Sequence, residues 1–206
     1  MDVTLVVAAT KAEAAHVPPH LPLVITGLGK TAAAVATTRA LVGMDAARTC
    51  VVNVGTAGAL HDGLEGLHLP GVVLNHDMNA EAIRALGYDP EERLLLDDGD
   101  GTVLASGDVF VTDAAVRGAL ARRADLVDME GYAVAYACRR MGVRVRLVKH
   151  VSDNADASAK DWPLLVDRPE MQIRHVLRNS AVVTLRLPGA SFLLFFLVAV
   201  LTVLSV

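Results

Sequence analysis

The chain has 206 residues, a formal net charge of −4 and 53 % hydrophobic residues, with aromatics at only 4 %. That length suits one domain with a sizeable core. The charge, with basic residues only in short pairs such as Arg122-Arg123 and Arg139-Arg140, excludes a basic footprint for nucleic acid. Cys50 and Cys138 make neither a disulfide framework nor a metal spacing, so a reduced, cytoplasmic chain is expected. His16 and His20 are four apart, but Pro18-Pro19 break the helix that would align them. No metal and no cofactor are expected. Met1-Asp2 leads straight into a strand without a basic leader, which points away from a signal peptide.

Residues 3–9 form a continuous apolar run, the pattern of a buried parallel strand. Thr10-Lys11-Ala12-Glu13-Ala14 follows and could begin a short helix, which sets the Glu13 carboxylate just past a strand end. A brief strand over 23–26 runs into Gly27-Leu28-Gly29-Lys30-Thr31, which opens an alanine-rich helix to about Val42. A P-loop would need glycine five residues before Gly29, where Val24 stands. A dinucleotide fingerprint would need an acid after the next strand, which ends instead in Asn53-Val54-Gly55. The preferred reading is a glycine turn into a helix N-terminus, with free N–H groups facing a site.

Residues 50–54 read as a strand followed by a turn of small residues, Gly55-Thr56-Ala57-Gly58-Ala59, where backbone can approach a ligand. Another strand is expected over 69–75 and a helix over 80–86. Residues 88–101, rich in Asp, Glu and Gly, read as a mobile loop. A strand over 102–106 leads into Gly107-Asp108-Val109-Phe110, and Asp113 is placed to cap a helix over 113–123. Phe110 is a core residue on general grounds, or a flat face for a heterocycle beside the site.

The stretch 125–156 is the most informative. A short apolar run ends on Asp128-Met129-Glu130-Gly131; Val134, Cys138 and Met141 then share one helical face, and Gly142 stands where the helix should stop. A strand over 143–151 ends on Ser152-Asp153. Strand, helix and strand thus deliver Glu130 and Asp153 to strand C-termini, where α/β sheets bind ligands. The plain alternative is two solvated acids at element starts, where acids are favoured in any case.

These motifs resemble the nucleoside phosphorylase and nucleosidase superfamily, with methylthioadenosine/adenosylhomocysteine nucleosidases the nearest likeness. The quoted residues are the Gly-Leu-Gly-Lys turn, Gly55-Thr56-Ala57-Gly58, Ser106-Gly107-Asp108-Val109-Phe110, Asp128-Met129-Glu130-Gly131 and Val151-Ser152-Asp153-Asn154-Ala155-Asp156. The resemblance covers about residues 3–165. It implies a three-layer αβα domain with a mostly parallel or mixed central sheet, a purine nucleoside as ligand and a homodimer. It also implies roles: Glu13 activating water, Asp153 protonating the departing purine, Met129 and Glu130 gripping ribose, and Phe110 stacking on the base. Thr56 and Ser152 would support as polar contacts, and Trp162 would close the pocket over the 5′ end. Where the family has a long hairpin, this chain has only residues 16–22, which leaves part of the pocket unaccounted for.

The expected reaction is hydrolysis of a purine nucleoside's N-glycosidic bond. Two alternatives stand beside it: a phosphate-dependent phosphorylase, and a catalytically impaired nucleoside-binding or membrane-tethered protein. The nucleosidase domain is expected over 1–178. Residues 179–206 form an atypical tail whose 192–206 run is almost wholly apolar, near the shortest bilayer span of about 17–25 residues. An anchor with membrane contact, a buried core helix and a shifted reading frame are the three readings of that tail, the last slightly preferred.

Overall fold

Parallel pairing of apolar strands builds the centre of the sheet in the computed structural model, which describes residues 3–156 with Ala159, Trp162 and Val166. Strand β1 (Val3–Ala8) lies parallel to β2 (Leu23–Ile25) and to β3 (Thr49–Ala59). Strand β3 pairs along most of its length with β9 (Arg144–Asp153), again parallel. At its end β3 meets β8 (Leu126–Asp128) antiparallel, and the sheet continues through β7 (Val103–Ser106), β5 (Val72–Asn75) and β6 (Arg93–Leu95). A two-residue β4 (Leu67–His68) covers the other edge of β9.

Neighbouring strand residues feed opposite faces, because successive side chains alternate across a pleated strand. Val73, Leu104 and Leu126 pack on one side, with Tyr132 and Ala135 of α4 (Gly131–Arg140). Leu74, Ala105 and Val127, each one residue further on, pack on the other side with Leu120 of α3 (Ala114–Leu120). Helix α1 (Lys30–Leu41) joins α4 through Ala33, Leu41, Val134 and Cys138, over Leu5, Val7 and Val51. The result is the expected three-layer αβα arrangement around a mixed, mostly parallel sheet. Burying one such leucine is worth roughly 1.5–3 kcal/mol, so these two cores hold the strand ends in place.

Several expected elements change. The small-residue stretch 55–59 is not a turn: β3 runs on through it, because β9 and β8 supply its backbone partners. The expected loop 88–101 contains β6, whose Leu94 is buried against the sheet while Arg93 and Leu95 face out. The segment after β1 makes successive turns rather than a helix. The strand expected over 69–75 begins only at Val72, and the short helix α2 (Ala80–Ala85) follows it. Asp113 does cap α3, accepting from the N–H groups of Ala115 and Val116. Gly142 ends α4 in a left-handed conformation, φ +67°. Among the described residues no helix is long and apolar enough to cross a membrane. The tail 179–206 lies outside the described residues.

Candidate active site

The C-terminal ends of β1, β3, β8 and β9 converge on one cleft. Glu13, Thr56, Phe110, Met129, Glu130, Ser152, Asp153 and Trp162 all line it, so every residue singled out from the sequence reaches the same place. Leu28, Val109, Val111 and Val127 supply apolar wall between them.

Glu13 is held from two sides. One carboxylate oxygen accepts from the Thr10 N–H and hydroxyl, both at 3.1 Å. The other accepts from the Thr56 N–H at 2.9 Å and the Thr56 hydroxyl at 3.1 Å. Gly55 makes this approach feasible, since a Cβ there would lie 2.9 Å from a Glu13 oxygen. Trp162 completes the group: its indole N–H donates to the Thr56 hydroxyl at 2.8 Å.

A bulge places the next two residues. Ala57 of β3 faces Val151 of β9, but Gly58 faces Asp153, so Ser152 is the extra residue. Such a bulge re-aims side chains at a strand end. The Ser152 hydroxyl donates to one Asp153 oxygen at 2.6 Å, and the Ala155 N–H donates to the other at 2.8 Å. Ala155 takes a left-handed φ of +50°, unusual for a residue with a Cβ, and is buried against Gly58. Asp153 itself is half-buried rather than buried.

Below Glu130 lies an ion pair that the sequence reading missed. Lys149, 2 % exposed, meets a carboxylate oxygen of Asp128 at 2.8 Å. The Gly131 N–H donates to the same oxygen at 2.9 Å, and the Ser106 hydroxyl to the other at 2.5 Å. Burial pulls the Lys149 pKa down, but the charge and hydrogen bond of Asp128, with Glu130 and Glu13 beyond, outweigh it and the net shift is upward. Glu130 is buried too, and its Oε1 accepts from the Gly29 N–H at 2.7 Å. Burial, then the like charge of Asp128, push Glu130 up to about 7 against the pull of that N–H and of Lys149. The signal for Lys149 was available: by alternation it shares a strand face with Val145, Leu147 and Val151, and a lysine on such a face needs a buried partner. Asp128 lay inside a quoted motif but carried no role.

The glycine turn opens α1 and aims the Gly29 N–H at the site, but the N–H groups expected to be free are taken, that of Gly29 by Glu130 and that of Lys30 by Asp108. Phe110 is not core: it is half exposed along the cleft. Among the described residues no cluster of His, Cys, Asp or Glu could hold a metal ion.

The chain is similar to known nucleosidases in sequence and in fold. The chain is 26 % identical over 193 residues to a 5′-methylthioadenosine/S-adenosylhomocysteine nucleosidase of Buchnera aphidicola, covering 81 % of this chain and 72 % of the relative. The corresponding nucleosidase of Halalkalibacterium halodurans is 29 % identical over 169 residues, 68 % of this chain and 71 % of the relative. Among solved structures, a Helicobacter pylori MTAN mutant with 5′-methylthioadenosine in its active site superposes with a TM-score of 0.74 at 20 % identity. It covers 86 % of this chain and 97 % of that one. At that identity the likeness speaks for the fold. The model of the phosphorylase superfamily matches residues 20–187, most of the chain, and the chain belongs to that superfamily.

Proposed function

We propose that the chain hydrolyses the N-glycosidic bond of a purine nucleoside of the 5′-substituted adenosine type, releasing free base and a ribose derivative. Its curated relatives at 26 % and 29 % identity are nucleosidases for such compounds. The observation that carries hydrolysis rather than phosphorolysis is the charge of the cleft. Glu13, Asp128, Glu130 and Asp153 line it, and among the described residues no arginine does. Lys149, the buried cation nearby, is already paired with Asp128. The Thr56 N–H and hydroxyl, natural donors for a phosphate oxygen, are taken by Glu13. A phosphate dianion would enter a field of its own sign, and dispersed cations would be needed to hold it. A water molecule meets no such penalty.

In this reading Glu13, fixed by four donors, accepts a proton from water as the oxygen attacks the anomeric carbon. The ribosyl group passes through an oxocarbenium-like state, as in glycoside hydrolysis. Asp153 gives a proton to N7 of the departing purine, and the bonding pair leaves with the base. Glu130 accepts from the ribose hydroxyls, Met129 packs on the sugar and Phe110 stacks on the base. Thr56 holds Glu13, Ser152 holds Asp153, and Trp162 stands over the Thr56 side of the cleft. The convergence of all three carboxylates argues against an impaired binding protein. A cytoplasmic location and a homodimer belong to the same reading.

The test is a product assay. Incubated with 5′-methylthioadenosine in phosphate-free buffer, the protein is expected to release adenine. Strict dependence on added phosphate, with a ribose 1-phosphate product, would show phosphorolysis instead.

A further inference from the structure

Lys30 does not line the cleft, yet it joins two loops that do, those carrying Leu28 and Phe110, to the loop after β5. It is the first residue of α1, and its backbone N–H donates to an Asp108 carboxylate oxygen at 2.7 Å. Its ammonium pairs with Asp77 and donates to the Asn75 side-chain oxygen at 2.7 Å, with the second Asp108 oxygen 3.9 Å away. The Asp108 N–H closes the ring by donating to Asp77 at 2.8 Å. Asn75 ends β5, Asp77 opens the loop after it, and Asp108 lies in the loop between β7 and α3, two residues before Phe110. The ring therefore clamps the glycine turn against the loops that follow β5 and β7.

What the turn delivers is the Gly29 N–H, 2.7 Å from Glu130 Oε1. Gly29 sits at φ +90°, where a side chain is strained, and a Cβ there would come within 3.0 Å of Asp108. The next N–H along the chain, that of Lys30, is the one Asp108 holds, so Asp108 and the Gly29 amide are joined through the turn's own backbone. If Asp108 moves, the amide moves with it.

We propose that Lys30 is a positioning residue. It holds Asp77 and Asp108 so that the glycine turn keeps its N–H on Glu130, which fixes that carboxylate for the ribose hydroxyls. The proposal rests on the reading that Glu130 grips ribose. The pair is part-exposed, Lys30 at 17 % and Asp77 at 24 % of side-chain surface, and such pairs contribute little to global stability. The clamp therefore acts on local geometry more than on the fold.

The experiment compares Lys30→Met with the parent chain in four readouts: kcat, KM for 5′-methylthioadenosine, thermal unfolding, and hydrogen exchange of the Gly29 amide. KM is expected to rise about tenfold, the scale of one hydrogen bond to a charged group. Turnover at saturation and the melting temperature should change little, and the Gly29 amide should exchange faster. On a Glu130→Ala background, Lys30→Met should add nothing, because its target is gone. An undiminished effect on that background overturns the proposal, as does an unchanged KM with a lowered melting temperature. If the parent chain neither binds nor cleaves the nucleoside, the functional reading falls, while Gly29 exchange still decides whether Lys30 holds the turn.

Discussion

Glu13 and Glu130 line one cleft at nearly equal burial, 9 % and 7 % exposed, yet their surroundings differ in kind. Glu13 accepts four hydrogen bonds, two from Thr10 and two from Thr56. Among the described residues Glu130 accepts one, from Gly29, and it faces the Asp128 charge. Burial alone therefore does not decide what a carboxylate does. The donors around it do, since they replace the water that burial removes. One end of the cleft is built to fix a carboxylate in a single orientation. The other leaves a carboxylate poised to gain a proton near neutral pH, with oxygens unclaimed for a ligand.

The same substitution at both ends of the cleft should have opposite consequences. Glu13→Gln should cut turnover by about 10²-fold or more, the usual contribution of a positioned acid–base group. It should also destabilise: an amide NH₂ cannot accept, so either the Thr10 or the Thr56 N–H loses its partner, a cost of about 1–3 kcal/mol. Asp153→Asn should match the loss of turnover while leaving nucleoside binding intact, as read by titration calorimetry. Near-normal turnover in either variant would remove that residue from the chemistry.

Glu130→Gln should do the opposite to stability. Folded Glu130 keeps its proton to about pH 7, whereas an ordinary glutamate loses it near 4.5. Folding thus takes up a proton between those values, so the contribution of Glu130 is whole below about 4.5 and is lost as pH rises through 7. Glutamine escapes that loss. The variant and the parent should melt together at pH 4, and the variant should be more stable at pH 8 by on the order of 2–3 kcal/mol. A difference that does not change with pH would mean that Glu130 is charged throughout. The ribose contact should suffer regardless, as a higher KM.

How far the sequence carried this site depends on the residue. Glu130 and Asp153 were legible because apolar runs end on them, and a strand C-terminus is where such sheets bind ligands. Glu13 was legible by its place after β1, but not the turns that carry it. The 55–59 stretch misled because glycine and alanine spell a turn locally, while β8 and β9, distant in sequence, impose a strand. In residues 88–101, three leucines were outweighed by the acids and glycines around them, and only the β5 edge reveals β6. The bulge at Ser152 left no local mark, since it is a property of two strands in register. Lys149 was an unread signal rather than a hidden one.

Trp162 decides whether the fixed end reaches further than Thr56. An indole N–H can only donate, and a threonine hydroxyl has one proton. With Trp162 donating to the Thr56 oxygen, that proton is left for Glu13, 3.1 Å away. Trp162→Phe keeps an aromatic face and removes only the donor. The Thr56 hydroxyl becomes free to rotate, but its backbone N–H still holds Glu13, so the loss should be near 1 kcal/mol, about fivefold. If Trp162 acts through Thr56, the drop appears in kcat, and Thr56→Val should abolish any further effect of Trp162→Phe. If Trp162 instead closes the pocket over the 5′ substituent, KM rises, kcat holds, and the effect scales with the size of that substituent. The first outcome extends the fixed end of the cleft to a third residue; the second confines it to Thr10 and Thr56.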